Sequence, residues 1–119
     1  MKIVSAEEAV AVIRSRETVY VHCAAAAPNV LLRALVARAN ELEAVNMVHL
    51  HVGGEGPHLA PEVASSFRHK ALFIGPNARA AVNDGRAEYI PVFLSDVPSL
   101  FRRGFIPLDA VLVNMSPPD

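Results

Sequence analysis

Three short stretches of this 119-residue chain carry side chains capable of chemistry. His22 and Cys23 are adjacent, after the β-branched and aromatic run TVYVH and shortly before Pro28. A thiol in front of a helix is favoured as thiolate and could attack an electrophile. Neighbouring residues of an extended strand point to opposite faces, however, so His22 is badly placed as the base for Cys23. A buried, inert thiol is the favoured reading for Cys23. His22 stands at a strand exit, where a side chain can face either a ligand-binding crest or the core, and the sequence leaves both open.

His49 and His51, two apart in MVHLHV, would share one face of a strand as a metal-binding pair requires. No third ligand is evident from the pattern: His58 lies in a Gly- and Pro-rich stretch read as flexible, and His69 follows Arg68 at an apparent helix end. The expectation is hydrogen-bonded core histidines and no metal. GGEGP at 53–57 has the glycines of a phosphate loop without its Lys-Ser or Lys-Thr. Nor does a helix begin at its third glycine, as a dinucleotide fingerprint demands. A mobile turn whose N–H groups could meet an anion is what the loop offers. Arg68, Arg79, Arg86, Arg102 and Arg103 form no run, and most read as solvated helix faces.

The elements that must position these residues alternate between helix and strand. Ser5 and Glu8 make a capping box for a helix over 6–15. Thr18–His22 reads as a strand, and Pro28 as the first residue of a helix over 28–43 whose apolar positions keep a 3.6-residue period. Further strands are expected at 47–52, 71–74 and 109–115. A helix capped by Asn77 should stop at Gly85, and one capped by Ser95 should stop at Gly104. Such units, stacked, make an open, mainly parallel α/β sheet flanked by helices. Ligands of these sheets bind outside the carboxyl ends of the strands. The turns at 22–28, 52–60 and 74–79 are therefore the candidate site.

Eleven basic against twelve acidic residues give a formal charge of −1, which argues against a nucleic-acid surface. Hydrophobic residues make up 52 % of the chain, enough for a packed core. No apolar run reaches the roughly 18 residues a membrane span needs, and two glutamates stand where a signal peptide would be apolar. Cys23 is the lone cysteine, so no intramolecular disulfide forms. The expectation is a cytoplasmic protein with no nucleic-acid or membrane partner.

SAEEAV at 5–10, VHCAAAAPNVLLRALVARANEL at 21–42, VHLH at 48–51, FRHKALFIGPNARAAVNDGRAEYIPVFLSDVPSLF at 67–101 and SPPD at 116–119 occur in one order. Together they resemble the N-terminal part of the acetyl-CoA hydrolase/transferase family, the family I CoA-transferases that include 4-hydroxybutyrate CoA-transferases. The resemblance covers nearly the whole chain. It implies a CoA-transferase-type sheet, present as a partial domain over 1–119 truncated at its C-terminal end. It also implies chemistry on acyl-CoA thioesters and small carboxylates, with coenzyme A as substrate and no separate cofactor. In that chemistry a glutamate carboxylate attacks the thioester, and covalent intermediates divide the transfer into smaller barriers. Oxyanions on the path are met by backbone donors at a strand-to-helix turn.

In the family that turn lies at the active site. The resemblance therefore makes His22 an auxiliary catalytic residue that orients substrate or hydrogen-bonds the reacting carbonyl. It makes Cys23, Ala24, Ala25, Ala26, Ala27 and Pro28 substrate-binding. Two departures matter. Many relatives carry glycines where this chain has Cys23 and Ala24, and alanine adopts positive φ less easily. Relatives are also several times longer, with the nucleophilic glutamate in their second half, and none of the eight glutamates here matches it. The resemblance thus implies a partner, either the missing C-terminal half or a second chain, with a homo-oligomer also possible. The alternative is a non-catalytic CoA-binding or interaction module left from such an enzyme. A metal hydrolase built on His49, His51 and a further histidine is a third, less supported reading.

Overall fold

The computed structural model describes residues 2–117 of the chain. Five strands, β1 (Thr18–Val21), β2 (Val45–His49), β3 (Phe67–Ala71), β4 (Ala87–Tyr89) and β5 (Ala110–Leu112), form one sheet in the order β4-β3-β2-β1-β5. Every pairing is parallel. Four short α-helices accompany them: α1 (Ala6–Val10), α2 (Asn29–Val36), α3 (Arg79–Asn83) and α4 (Val97–Arg102). The α/β class expected from the alternation is the one observed.

The register sorts the side chains. Ala110, Val19, Met47, His69 and Ala87 stand opposite one another across the sheet in a single row. Because strand side chains alternate, Val21, Val45, Phe67 and Leu112 share that face. Over it pack Val10 and Ile13 from the α1 region and Leu32, Leu35 and Leu42 from the α2 region. Full burial of a Leu, Ile or Phe side chain is worth about 1.5–3 kcal/mol, so this layer dominates the stability. The other face carries Val48 and Leu72 under Val97 of α4, with Tyr20 and Phe101 meeting edge to face at 5.5 Å. That face is only partly covered. Val111 of β5 is half exposed, and Phe93, Leu94 and Phe105 stand in solvent.

Local signals explain most element ends. The Ser5 hydroxyl accepts from the Glu8 N–H and the Glu8 carboxylate accepts from the Ser5 N–H, completing the capping box. Gly85 and Gly104 follow α3 and α4 with φ of +73° each, the left-handed stop expected of them. The first two helices are shorter than the periodicity predicts. α1 ends at Val10, and the guanidinium of Arg38 donates to the carbonyls of Val10 and Ile13. α2 ends at Val36 and passes through a 3₁₀ turn at Ala39–Glu41. Pro28 sits one residue before α2, as its N-cap.

Three strand placements need correction. β3 lies at Phe67–Ala71, four residues before the expected 71–74, because Phe67, His69 and Ala71 go inward while Arg68 faces out. The apolar Leu72-Phe73-Ile74 leaves the sheet as a loop. β2 starts and ends earlier than 47–52, and β4 has no counterpart in the sequence reading. The SPPD match at 116–119 runs past the described residues.

Arg38 is also bonded through Nε to Glu41 at 3.1 Å. Arg38→Met keeps the apolar stem and removes the donors that close α1, so it should cost about 1.5–3 kcal/mol in urea unfolding, the range for hydrogen bonds to charged groups. Unchanged stability would show that water satisfies those carbonyls equally well.

Candidate functional site

The carboxyl ends of β1, β2 and β3 lead into three loops that touch one another. The 22–28 turn is clipped to the β2 exit by a parallel bridge between Ala24 and Val52, with the Ala24 N–H donating to the His51 carbonyl at 2.7 Å. Gly53 lies so close beneath this turn that a Cβ there would stand 2.4 Å from the Ala24 carbonyl oxygen. Gly54 and Gly56 both take positive φ and pack on the side chains of Asn29 and Asn77 respectively. Asn77 donates to the Val52 carbonyl at 2.7 Å instead of capping a helix. The 53–57 loop, expected to be a mobile turn, is thus packed in place. Its glycines serve close approach, and Glu55 is held exposed between two of them.

Two clefts adjoin this crest. One, about 300 Å³, lies beside the exits of β1 and β5, between Ala25, Ala27, Pro28, Val30 and the β5 exit at Val113 and Asn114. α2 begins at this cleft with no side-chain cap; the Asn29 N–H bonds the Ala27 carbonyl at 2.9 Å, which leaves the N–H groups of Val30 and Leu31 for a ligand. The other, about 530 Å³, is apolar and sits on the α4 side between Cys23, Leu50, Leu72, Phe93 and Val97. Of the residues singled out in the 22–28 turn, Ala25, Ala27 and Pro28 line the first cleft and Cys23 the second. Ala24 takes φ +53°, the conformation that glycine adopts without strain.

His22 is half-buried; its backbone N–H pairs with the Leu112 carbonyl at 2.9 Å and its Nδ1 is shielded from solvent without a partner. Cys23 is half-buried near Tyr20, whose hydroxyl is held above its usual ionisation range by burial first and by Cys23 second. His51 is exposed against Phe73, so it does not pair with His49 as the sequence suggested.

Three other histidines come together. His49 at the end of β2, His69 in the middle of β3 and His58 from the 3₁₀ turn Pro57–Leu59 are 0 %, 4 % and 0 % exposed. Their ring centroids are 5.3–6.2 Å apart. Burial, then the neighbouring His69 and His49, pushes the His58 ring down to about 3. Burial, then His49, with Arg86 adding to the effect against a bond to the His58 carbonyl, pushes His69 down to about 4. His49 is lowered chiefly by burial, against its bond to the Leu50 carbonyl. All three rings are therefore neutral near pH 7. Two members were hidden in the sequence: His69 because β3 was placed too late, which left it outside the sheet, and His58 because its segment was read as a flexible stretch.

Comparison with known proteins follows the same lines. The family model for the acetyl-CoA hydrolase/transferase N-terminal domain matches residues 1–119. The chain is 39 % identical over 118 residues to a 4-hydroxybutyrate coenzyme A transferase of Clostridium kluyveri, covering 99 % of this chain and 28 % of that protein. It is 36 % identical over 115 residues to a succinyl-CoA:acetate/propanoyl-CoA:succinate CoA transferase of Fasciola hepatica, covering 95 % of this chain and 24 % of that protein. The chain therefore spans about a quarter of the length of these relatives. Among solved structures, a 4-hydroxybutyrate CoA-transferase from Porphyromonas gingivalis superposes with a TM-score of 0.73 at 31 % identity, over 98 % of this chain and 25 % of that one. RipA from Yersinia pestis shares the fold with a TM-score of 0.84 at 24 % identity, over 99 % of this chain and 30 % of that one.

Two outcomes follow from this geometry. Ala24→Gly relieves a left-handed alanine, so it should leave stability unchanged or raise it by up to about 1 kcal/mol, read by thermal melting; a clear loss would show that the Ala24 methyl is needed for packing. The neutral histidines make stability depend on acid. The unfolded chain takes up their protons near the ordinary value of about 6.5, while folded His69 and His58 resist until about 4 and about 3. Their contribution is complete above pH 6.5 and is lost as pH falls towards those lower values. With EDTA present so that only protons compete for the rings, His58→Gln should flatten the stability slope between about pH 4 and 6 by about 1.4 kcal/mol per pH unit. An unaltered slope would mean His58 protonates normally.

Proposed function

The chain belongs to the acetyl-CoA hydrolase/transferase family as its N-terminal domain, and from that premise we propose that it supplies thioester-binding loops to an acyl-CoA:carboxylate CoA-transferase or acetyl-CoA hydrolase. The attacking glutamate lies, in this reading, on polypeptide outside these 119 residues. The observation that supports it best is the cleft between the 22–28 turn, the uncapped start of α2 and the β5 exit. It sits at the carboxyl ends of two adjacent parallel strands, the edge at which open α/β sheets take their ligands. Free N–H groups and the positive end of α2 suit a phosphate of coenzyme A or the oxyanion of a thioester under attack. Coenzyme A enters as part of the substrate, with a small carboxylate as acceptor. His22, at the β1 exit, lines neither cleft, and its role as the side chain that orients the reacting carbonyl rests on the family resemblance.

The half-covered α4 face gives the partner a place. Phe93 is 80 % and Leu94 72 % exposed beside the apolar groove, and contiguous apolar surface of this kind marks an interface. The remaining part of the enzyme is the partner this reading expects there. A specific observation favours the alternative, a non-catalytic CoA-binding module: Ala24 places a methyl group where the turn adopts a glycine conformation.

A chimera tests the two readings. This chain replaces the N-terminal domain of the Clostridium kluyveri 4-hydroxybutyrate coenzyme A transferase, and acetyl-CoA:carboxylate exchange is measured. The enzymatic reading expects exchange by the chimera, none by the chain alone, and at least a roughly 10-fold fall on His22→Ala with the melting temperature held. An inactive, folded chimera whose N-terminal chain still binds coenzyme A by calorimetry would establish the module reading. Turnover by the chain alone would overturn the division of roles.

A further inference from the structure

The buried histidine cluster is unused by the thioester cleft and has its own chemistry. His49 and His69 project from adjacent strands on the α2 side of the sheet, two registers apart, and His58 closes over them from the segment between β2 and β3. One ring nitrogen from each lies within 4.8 Å of the other two. The hydrogen bonds decide which nitrogens carry lone pairs. His49 Nδ1 meets the Leu50 carbonyl at 2.9 Å, and His69 Nε2 meets the His58 carbonyl at 2.7 Å. A carbonyl only accepts, so both nitrogens carry the proton and leave His49 Nε2 and His69 Nδ1 as bare lone pairs. Those two atoms, and both nitrogens of His58, are buried with no partner.

Orphaned polar atoms at this density are costly in a protein interior, because each has given up water without gaining a partner. Neutral rings oriented by carbonyls on their far nitrogens are the arrangement that metal-bound histidine adopts. We propose that His49, His58 and His69 form a three-histidine site for a borderline divalent cation, zinc foremost, which pins the segment between β2 and β3 to the sheet.

Donor type selects the class of metal. Three imidazoles with no carboxylate or thiolate suit zinc, copper, nickel or iron and do not suit calcium or magnesium. Tetrahedral zinc with bonds of about 2.0–2.1 Å sets its ligand nitrogens roughly 3.3 Å apart, so the rings close inward on loading. The fourth ligand comes from water or a small anion. A cleft of about 320 Å³ lined by Ala64, Arg68, Arg86 and Glu88 touches the cluster at His69. Arg86, bonded to the Leu59 carbonyl at 2.8 Å and paired with Asp84 at 3.1 Å, lies near His69, and Glu88 shares the cleft, so water is the expected fourth ligand.

The test is zinc titration of the chelator-treated chain against a chromophoric competitor, with cobalt(II) as spectroscopic probe. One equivalent of zinc should bind, and cobalt should give the intense visible bands of four- or five-coordination. His58→Gln should weaken zinc by at least about 100-fold with the circular dichroism unchanged, while exposed His51→Gln should not alter it. Less than stoichiometric zinc, equal affinity in His58→Gln, or weak six-coordinate cobalt bands would overturn the proposal and assign the space to a bridging water. If His58→Gln fails to fold, the stoichiometry and cobalt spectrum of the unsubstituted chain decide the matter.

Discussion

The contact between the β1 and β2 exits is the constraint on which the candidate site depends. In a parallel sheet all strands deliver their loops to one edge, and the backbone groups there have no further strand to pair with. Here the Ala24 N–H reaches the His51 carbonyl, and Gly53 lets the two chains approach to a separation that no side chain would permit. The bend this requires turns Ala24 left-handed. It also brings Ala27 and Pro28 round so that α2 starts at the cleft, with the Asn29 N–H held by the Ala27 carbonyl and those of Val30 and Leu31 left open. Loosening the clip would move the start of α2, and with it the only helix end that faces this cleft among the described residues.

The two faces of the sheet have different roles. The α1 and α2 face is sealed by aliphatic packing from Val10 to Leu112 and sets the stability of the chain. The α4 face holds a smaller cluster and leaves Val111, Phe93 and Leu94 to solvent. Relatives about four times as long, matched here over about a quarter of their length, have further polypeptide with which such a face could be covered. No helix among the described residues is long and apolar enough to cross a membrane.

Polar groups inside the sealed face stand out against that packing. His69 occupies the same row as Met47 and Val19, a position where an aliphatic side chain would serve a plain core. Three neutral imidazoles at one point resist protonation because a charge there would be desolvated and surrounded by its own kind. Their polarity lowers acid stability, and it places lone pairs where only a proton donor or a cation can satisfy them.

Much was legible in the sequence because it is written locally. The Ser5–Glu8 box, the glycine stops at 85 and 104 and the α/β alternation depend on residues a few positions apart, and each is present as read. The family likeness was equally legible, since it rests on the order of long segments. The limits of β2 and β3 were not, because strand residues are chosen by register with neighbours far along the chain, and Arg68 and Lys70 look alien to a core strand when read alone. The same register decided the histidines. Sequence spacing paired His49 with His51, two positions away, whereas the sheet sets it two registers from His69 on the same face and the returning 3₁₀ turn adds His58. Local chemistry is thus fixed by neighbours in the chain; which side chains share a buried space is fixed by strand pairing, and that is settled only when the whole sheet closes.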